Sequence, residues 1–245
     1  MTAVKEWFGA WFNSPYYHIL YKHRNQEEAA NFINNLHQLL QFKSTDKLLD
    51  VACGRGRHAI YLNKMGMDVV GIDLSPQNII LAQEYENDRL HFHQHDMREV
   101  FAEEEFDLAL NLFTSFGYFD SEEENEKAVI ATTKALKPGG CLVIDFLNPY
   151  RVIEHLVPAE KITLEGIEFE INRRYQEGFI HKEIKFTDNE QQHSYTEKVR
   201  AIRKFEFMRY FVKAGLKLKG NYGDYELNPY HWKTSQRMIF IMEKE

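Results

Sequence analysis

The sequence predicts an α/β fold, an open doubly wound parallel sheet interrupted late in the chain by an antiparallel β meander. Three observations carry this. Between Asp46 and Pro149 short apolar runs alternate with helical patterns, as parallel strands buried on both faces require. Between residues 160 and 202 the apolar residues switch to period two, which suits antiparallel strands with one polar face. From residue 203 a helical pattern returns, followed by two apolar runs, so the meander reads as an insertion rather than an independent domain.

Residues 1–24 are aromatic-rich, with Trp7, Phe8, Trp11, Phe12, Tyr16, Tyr17 and Tyr21. Such a segment either packs on the domain or closes as a lid over a ligand pocket, where aromatic rings give large contact area at small entropic cost. Residues 26–42 predict an amphipathic helix, since Ala29, Phe32, Ile33, Leu36, Leu39 and Leu40 recur at three- and four-residue spacing. Strands are expected at 47–52, 67–72, 90–94, 106–112 and 140–147, and helices at 57–64, 76–84 and 122–136. Ser75-Pro76 combines a cap oxygen with proline at the first helical position. Pro138-Gly139-Gly140 is expected to end the last of these helices and turn the chain into the next strand. In the meander Ile162/Leu164, Ile167/Phe169/Ile171 and Ile184/Phe186 alternate, with turns at residues 175–178 and 187–190. Phe207, Tyr210 and Phe211 mark a helix over 203–214 that stops at Gly215, and strands are expected at 216–222 and 238–242.

The chain has 245 residues, enough for a core that needs neither disulfides nor a metal. Its formal net charge of −7 argues against a general nucleic-acid binder, which needs phosphate-neutralising Lys and Arg. Charge is unevenly divided: residues 1–150 hold 13 Lys/Arg against 22 Asp/Glu, residues 151–245 hold 17 against 15. Cys53 and Cys141 lie in apolar stretches and make no disulfide framework. With no long apolar run and no basic-then-apolar start, the expected compartment is the cytoplasm, without a membrane partner.

Chemistry concentrates at the predicted strand ends. Asp50-Val51-Ala52-Cys53-Gly54-Arg55-Gly56 is a strand running into a glycine turn that opens a helix; the glycines permit positive φ and close ligand approach, and the helix start offers free N–H groups. Asp73, 17 positions after Gly56 at the next strand end, is placed to bind ribose hydroxyls. His95-Asp96-Met97 follows the third strand, where a carboxylate accepts from an adenine amino group and Met97 meets the ring face. A row of three acids, Asp50, Asp73 and Asp96, repels phosphates but suits a cationic adenosine compound.

With these residues in place the sequence resembles the class I S-adenosylmethionine-dependent methyltransferases. Residues 50–56 look like their first motif, Asp73 like the ribose-binding acid, and His95-Asp96-Met97 like the adenine-binding stretch. Phe106-Asp107-Leu108-Ala109-Leu110-Asn111 looks like the fourth-strand motif, and Leu136-Lys137-Pro138-Gly139-Gly140 like the turn into the fifth strand. The resemblance implies a Rossmann-like seven-stranded methyltransferase sheet with an inserted antiparallel β cap. It divides the chain into an N-terminal lid and helix (1–45), a cofactor-binding α/β core (46–154 and 203–245) and the cap (155–202). It implies S-adenosylmethionine as cofactor, bound by Asp50, Ala52, Cys53, Gly54, Gly56, Arg57, Asp73, Leu74, Asp96, Met97, Asn111 and Leu112. Ala52 departs from the family's usual glycine; one methyl group is compatible with binding if the backbone there stays in an ordinary region, and cofactor affinity is what the departure bears on. Arg57 and His58 match an Arg-His pair whose arginine sits near the methionyl carboxylate in relatives, while a histidine at a helix start also reads as packing or surface.

Phe113-Thr114-Ser115-Phe116-Gly117-Tyr118-Phe119, Tyr222-Gly223-Asp224-Tyr225 and Ser235-Gln236-Arg237 resemble small-molecule methyltransferases that carry a meander after the fifth strand. Tyr17, Phe116, Tyr118, Tyr222 and His231 are the candidates to face the acceptor, and no residue is assigned to catalysis. The expected function is methyl transfer from the sulfonium to a small-molecule nucleophile by in-line displacement, by a monomer or homodimer. The alternative is a regulatory or non-catalytic S-adenosylmethionine-binding protein of the same fold. A nicotinamide enzyme would need a G-x-G-x-x-G fingerprint, which residues 52–57 do not supply. The basic residues Arg173, Arg174, Lys198, Arg200, Arg203 and Lys204 read as a solvated face, and Leu112-Phe113-Thr114-Ser115 differs from the proline-rich motif of amino-group base methylases. No metal site is expected.

Overall fold

A computed structural model describes residues 7–22 and 26–245, without the side chains of residues 7–9 and 26. The expectations for Trp7 and Phe8, and for residues 1–6 and 23–25, therefore lie outside the described residues. Two short helices, α1 (Trp7–Phe12) and α2 (Pro15–Leu20), precede α3 (Gln26–Leu40). The alternating region follows as β1 (Lys47–Val51), α4 (Arg57–Lys64), β2 (Asp68–Asp73), α5 (Pro76–Gln83), β3 (Leu90–Gln94), β4 (Phe106–Asn111), α6 (Glu122–Ala135) and β5 (Leu136–Leu147). Next come α7 (Pro149–Glu154) and the meander strands β6 (Ala159–Leu164), β7 (Ile167–Gln176), β8 (Phe179–Asp188) and β9 (Gln191–Arg200). The chain closes with α8 (Lys204–Lys213), β10 (Leu216–Tyr222) and β11 (Arg237–Lys244).

Seven strands form one sheet in the order β10-β11-β5-β4-β1-β2-β3. The β5-β4-β1-β2-β3 pairs are parallel, and β11 pairs antiparallel with both β5 and β10. Leu48, Leu49 and Val51 on β1 and Leu108, Ala109 and Leu110 on β4 are buried, because helices cover both faces of the central strands. The order reverses between β1 and β4, and a crevice opens at such a reversal beyond the carboxyl ends of the strands. Local signals act as expected: the Ser75 hydroxyl accepts from the Asn78 N–H ahead of Pro76, and Ser121 and Glu124 form a capping box on α6.

The last of these parallel strands begins earlier than expected. The helix stops at Ala135 and β5 starts at Leu136, opposite Phe106, with the register shifting before Cys141 pairs with Leu108. Pro138 and Gly139 (φ 77°) thus form an irregularity inside a strand instead of a helix-to-strand turn. Leu39, expected on the apolar face of α3, is exposed, because that face is already filled by Phe32, Ile33 and Leu36.

The meander makes a separate four-stranded antiparallel sheet, β6-β7-β8-β9. Its inward residues Phe169, Ile171, Ile184 and Phe186 share a core with Trp11 and Leu20, so α1 and α2 rest on this sheet. The Arg200 N–H donates to the Gly117 carbonyl at 2.7 Å, joining the end of β9 to the loop after β4.

Candidate active site

A cavity of about 320 Å³ lies over the carboxyl ends of β1, β2, β3 and β4. Its floor is the turn after β1. Ala52, Gly54 and Gly56 have φ of 58°, 57° and 79°, which swings the backbone under the cavity. A side chain on Gly56 would run into the Phe92 ring at 2.6 Å, whereas Gly54 faces open space. The close approach of chain to sheet therefore fixes Gly56, and the ligand space explains Gly54. At Ala52 the backbone departs from expectation: it is left-handed, so the alanine is strained as well as being one methyl larger than glycine.

The acids of the first two strand ends are held by backbone donors. The Gly54 N–H donates to Asp73 Oδ2 at 2.9 Å and the Ser75 N–H to Oδ1 at 2.8 Å, so each oxygen keeps capacity for a ligand hydroxyl. Burial pushes the Asp73 carboxyl up despite these bonds. Asp50 is buried, and its Oδ2 has no hydrogen-bond partner although the residue lines the cavity. Burial raises its carboxyl to about 7, against the opposing pull of a backbone hydrogen bond at Ala59 and the Arg57 charge. A buried orphan acceptor at a cavity wall calls for a cationic donor.

Asp96 also reaches the cavity, but it is already engaged. Arg98 binds it through Nε at 3.0 Å and Nη2 at 2.6 Å, and through its own backbone N–H at 2.9 Å. Burial alone would raise this carboxyl, and the Arg98 bonds outweigh it, leaving the net shift downward. Arg98 in turn bonds Glu124 and covers the Phe119 ring, which fixes the third strand end as a preset corner.

Helix α4 contributes Arg57 and His58. The Arg57 guanidinium sits 4.2 Å from the Phe113 ring centre, and His58 lies 5.1 Å from the same ring. Burial, then the Arg57 charge, holds His58 well below its usual pKa, so it is a neutral packed group on the wall. The outer wall comes from the N-terminal helices and the loop after β4: Phe12, Tyr17, His18, Tyr21, Tyr118 and Phe119. Phe12 meets Tyr17 at 5.1 Å and Tyr118 at 5.3 Å, ring centre to ring centre. His18 is driven to about 4 by burial and then by Arg55, and its Nε2 has no partner.

Of the expected cofactor set, Asp50, Ala52, Cys53, Gly54, Arg57, Asp73, Leu74, Asp96, Met97 and Leu112 line the cavity. Gly56 lies just beneath it, and Asn111 does not reach it, because its amide is taken by the Val51 and Ser115 carbonyls. Of the acceptor-facing candidates, Tyr17 and Tyr118 line the cavity and three do not. Phe116 is buried against Phe207, 5.6 Å away, on the far side of its loop. Tyr222 lies over Gly220 on β10. His231 is exposed in the β10–β11 connection, 3.2 Å from Thr234 Oγ1. The expected site residues did not include His18, Lys22, Arg55 and Asn78 on the wall; the aromatic run around His18 and the glycine motif that contains Arg55 pointed there. Among the described residues no group of His, Cys, Asp and Glu side chains could hold a metal ion.

Comparison with known proteins agrees with this geometry. Residues 48–140 match the methyltransferase domain family. A dTDP-3-amino-3,4,6-trideoxy-alpha-D-glucopyranose N,N-dimethyltransferase from Streptomyces venezuelae is 29% identical over 153 residues, 61% of this chain and 64% of the relative's own length. A crystal structure of an S-adenosylmethionine-dependent methyltransferase from Clostridium acetobutylicum superposes with a TM-score of 0.80 at 17% identity, covering 94% of this chain and 96% of that one. An amino pentose methyltransferase from Micromonospora echinaspora, solved with S-adenosylmethionine bound, gives a TM-score of 0.72 at 22% identity over 95% of this chain and 98% of that one.

Proposed function

We propose, for a chain that belongs to the class I S-adenosylmethionine-dependent methyltransferases by its fold and its residue 48–140 domain, that it methylates an amine on a small molecule of the amino-sugar kind. The orphan Asp50 carboxylate oxygen in the cavity wall carries the cofactor part of this reading, because it fits a ligand that brings a buried cation. S-adenosylmethionine also fits the rest of the donor and acceptor set. Asp50 would take the methionyl ammonium, Arg57 the carboxylate, Asp73 the ribose hydroxyls, and Asp96 with Met97 the adenine end. The amine class is supported by the names of the Streptomyces relative and the Micromonospora neighbour, both enzymes of amino sugars.

When bound, the cofactor supplies a methyl group already activated by a positive sulfur, so the protein's task is alignment and exclusion of water. The aromatic wall of Phe12, Tyr17 and Tyr118 gives an acceptor a dry, low-entropy surface. Tyr118 is itself held by donating its hydroxyl to the Thr114 carbonyl at 2.5 Å. A neutral His18 offers its unpartnered Nε2 to an acceptor N–H or O–H without adding a repelling charge. An amine attacks through its own lone pair as the free base, which needs no preset general base.

On this reading residues 1–45 act as lid and helix, 46–154 with 203–245 as the binding core, and 155–202 as a cap that shapes the acceptor side. The unpaired thiols of Cys53 and Cys141 agree with a reducing, cytoplasmic setting, and the enzyme is taken as a monomer or homodimer. Isothermal titration with S-adenosylhomocysteine tests the cofactor, and methyl-labelled cofactor with a panel of amino sugars tests the acceptor. Saturable binding and a labelled amine product are expected; no binding at millimolar ligand refutes the reading. Tight binding with no product from any acceptor points instead to the non-catalytic alternative.

A further inference from the structure

Behind the Phe113 side of the cavity lies a buried ion pair that the chemistry above does not use. Arg237, near the start of β11, donates through Nε to Asp145 Oδ1 of β5 at 2.7 Å, and Asp145 is fully buried. Arg237 Nη2 also donates to Thr114 Oγ1 at 2.8 Å. Asp145 Oδ2 accepts from the Phe113 N–H at 2.8 Å and from the Tyr225 hydroxyl at 3.2 Å. The Asp145 carbonyl accepts from the Thr114 N–H at 3.0 Å. The pair therefore converges on two consecutive residues, Phe113 and Thr114.

Those two residues have φ of 59° and 61°. Neither is glycine or asparagine, and threonine is β-branched, so each is held in a costly left-handed conformation that persists only where the surroundings over-determine it. Here three hydrogen bonds to the turn come from Asp145 and Arg237 alone. The turn sends Phe113 into the cavity wall, where its ring touches Arg57 and His58 as described. Tyr225 stacks on Phe113 at 5.1 Å and meets Phe32 at 4.5 Å. Both late sequence signatures, the one ending at Tyr225 and the one ending at Arg237, thus meet at this turn without lining the cavity.

We propose that the Asp145–Arg237 pair is a positioning device for the ligand pocket. It holds the left-handed Phe113–Thr114 turn, and through the Phe113 ring it sets the Arg57 guanidinium on the wall where the methionyl end of the cofactor binds. A buried ion pair is a poor source of net stability, whereas a two-residue turn in the wrong backbone region requires specific bonds. The inference rests on the cofactor reading, and its test separates the two.

The wild-type affinity for S-adenosylhomocysteine, by titration calorimetry, tests the cofactor reading alone. Given binding, Arg237→Gln is expected to weaken it about tenfold, measured well below the melting temperature with an unchanged far-ultraviolet circular dichroism spectrum. Introducing Thr114→Gly into that variant should restore affinity to within about threefold of Thr114→Gly alone, because glycine enters the left-handed region without a brace. A pair that serves only global stability would lower the melting temperature and leave the affinity of folded protein untouched. An Arg237→Gln affinity within twofold of wild type, or equal losses with Thr114 and with Gly at that position, overturns the proposal. If Arg237→Gln does not fold, the isosteric Thr114→Val, which removes one acceptor of the guanidinium, decides the matter: about threefold weaker binding supports the device and unchanged binding refutes it.

Discussion

The Glu197 carboxylate accepts the Tyr21 hydroxyl on both its oxygens, at 2.7 and 2.8 Å. The same carboxylate takes the Trp11 indole N–H at 2.7 Å, and Lys182 donates to the Tyr21 oxygen at 2.7 Å while facing Glu197 at 3.8 Å. Tyr21 lines the cavity, whereas Glu197 and Lys182 belong to β9 and β8 of the second sheet. One mostly buried charged cluster therefore ties the N-terminal wall of the pocket to that sheet. Hydrogen bonds to charged groups contribute about 1.5–3 kcal/mol each, so Tyr21→Phe should lower stability by about 2 kcal/mol and the melting temperature by several degrees. Glu197→Leu, which leaves no acceptor at that position, should also shift tryptophan emission to the red as Trp11 loses its partner. A melting temperature and emission equal to wild type in both variants would show that the cluster does not hold the wall.

The strain at Ala52 makes a second prediction. A non-glycine residue in the left-handed region costs about 1–2 kcal/mol, and part of that relief is offset by the freer unfolded chain of glycine. Ala52→Gly should raise unfolding stability by about 1 kcal/mol in a urea melt. A decrease would mean that the alanine methyl packs productively enough to outweigh its backbone.

Much of this fold was legible in the sequence because its signals are local. The Ser75-Pro76 helix start, the apolar β1 and the period-two meander each act within a few residues, so element type and order could be read directly. The row of strand-end acids was legible for the same reason. What stayed hidden depends on conformation or on distance along the chain. Phe113, Phe116, Tyr118 and Phe119 share one loop, and which of them face the cavity is decided by left-handed backbone at Phe113 and Thr114, residue types that do not advertise it. His18 and Tyr21 become wall residues only because the N-terminal helices dock on a sheet more than 140 residues later. Asp145 and Arg237 meet across 92 positions, and no local pattern announces such a pair.

The unequal settings of two acids give a ranking. Asp73 keeps free acceptor capacity on both oxygens, while Asp96 is largely consumed by Arg98. Asp73→Ala should therefore weaken S-adenosylhomocysteine binding by about 10–100-fold, the loss of one or two hydrogen bonds to a charged group. Asp96→Ala should cost no more than about tenfold. Calorimetric titration of the two variants checks the order, and a larger loss at Asp96 would reverse the assignment of ribose and adenine ends.

Asp50 makes cofactor affinity depend on pH. Burial raises its carboxyl to about 7, with Arg57 pulling down and Asp73 pushing up across the site. An ammonium-bearing ligand needs the ionised form, so affinity for S-adenosylhomocysteine should level off at about pH 8, before the ligand's own ammonium loses its proton at higher pH. Below pH 7 it should fall toward tenfold per unit. Stability is a poorer readout, because the raised Asp50 and Asp73 oppose the lowered His18 and His58. The folded Asp50 holds its proton more tightly than the unfolded chain does, so the unliganded protein gains stability from it as pH falls from about 7 toward 4. His18 has its folded value lowered to about 4, so stability from its neutral burial is lost as pH falls from about 6.5 toward 4. Ligand affinity isolates the carboxylate. Asp50→Asn should bind more weakly at pH 8 and show a flat profile between pH 6 and 8. A wild-type profile that is already flat, or an Asp50→Asn profile that keeps the slope, would assign the titration to another group and remove Asp50 as the partner of the cation.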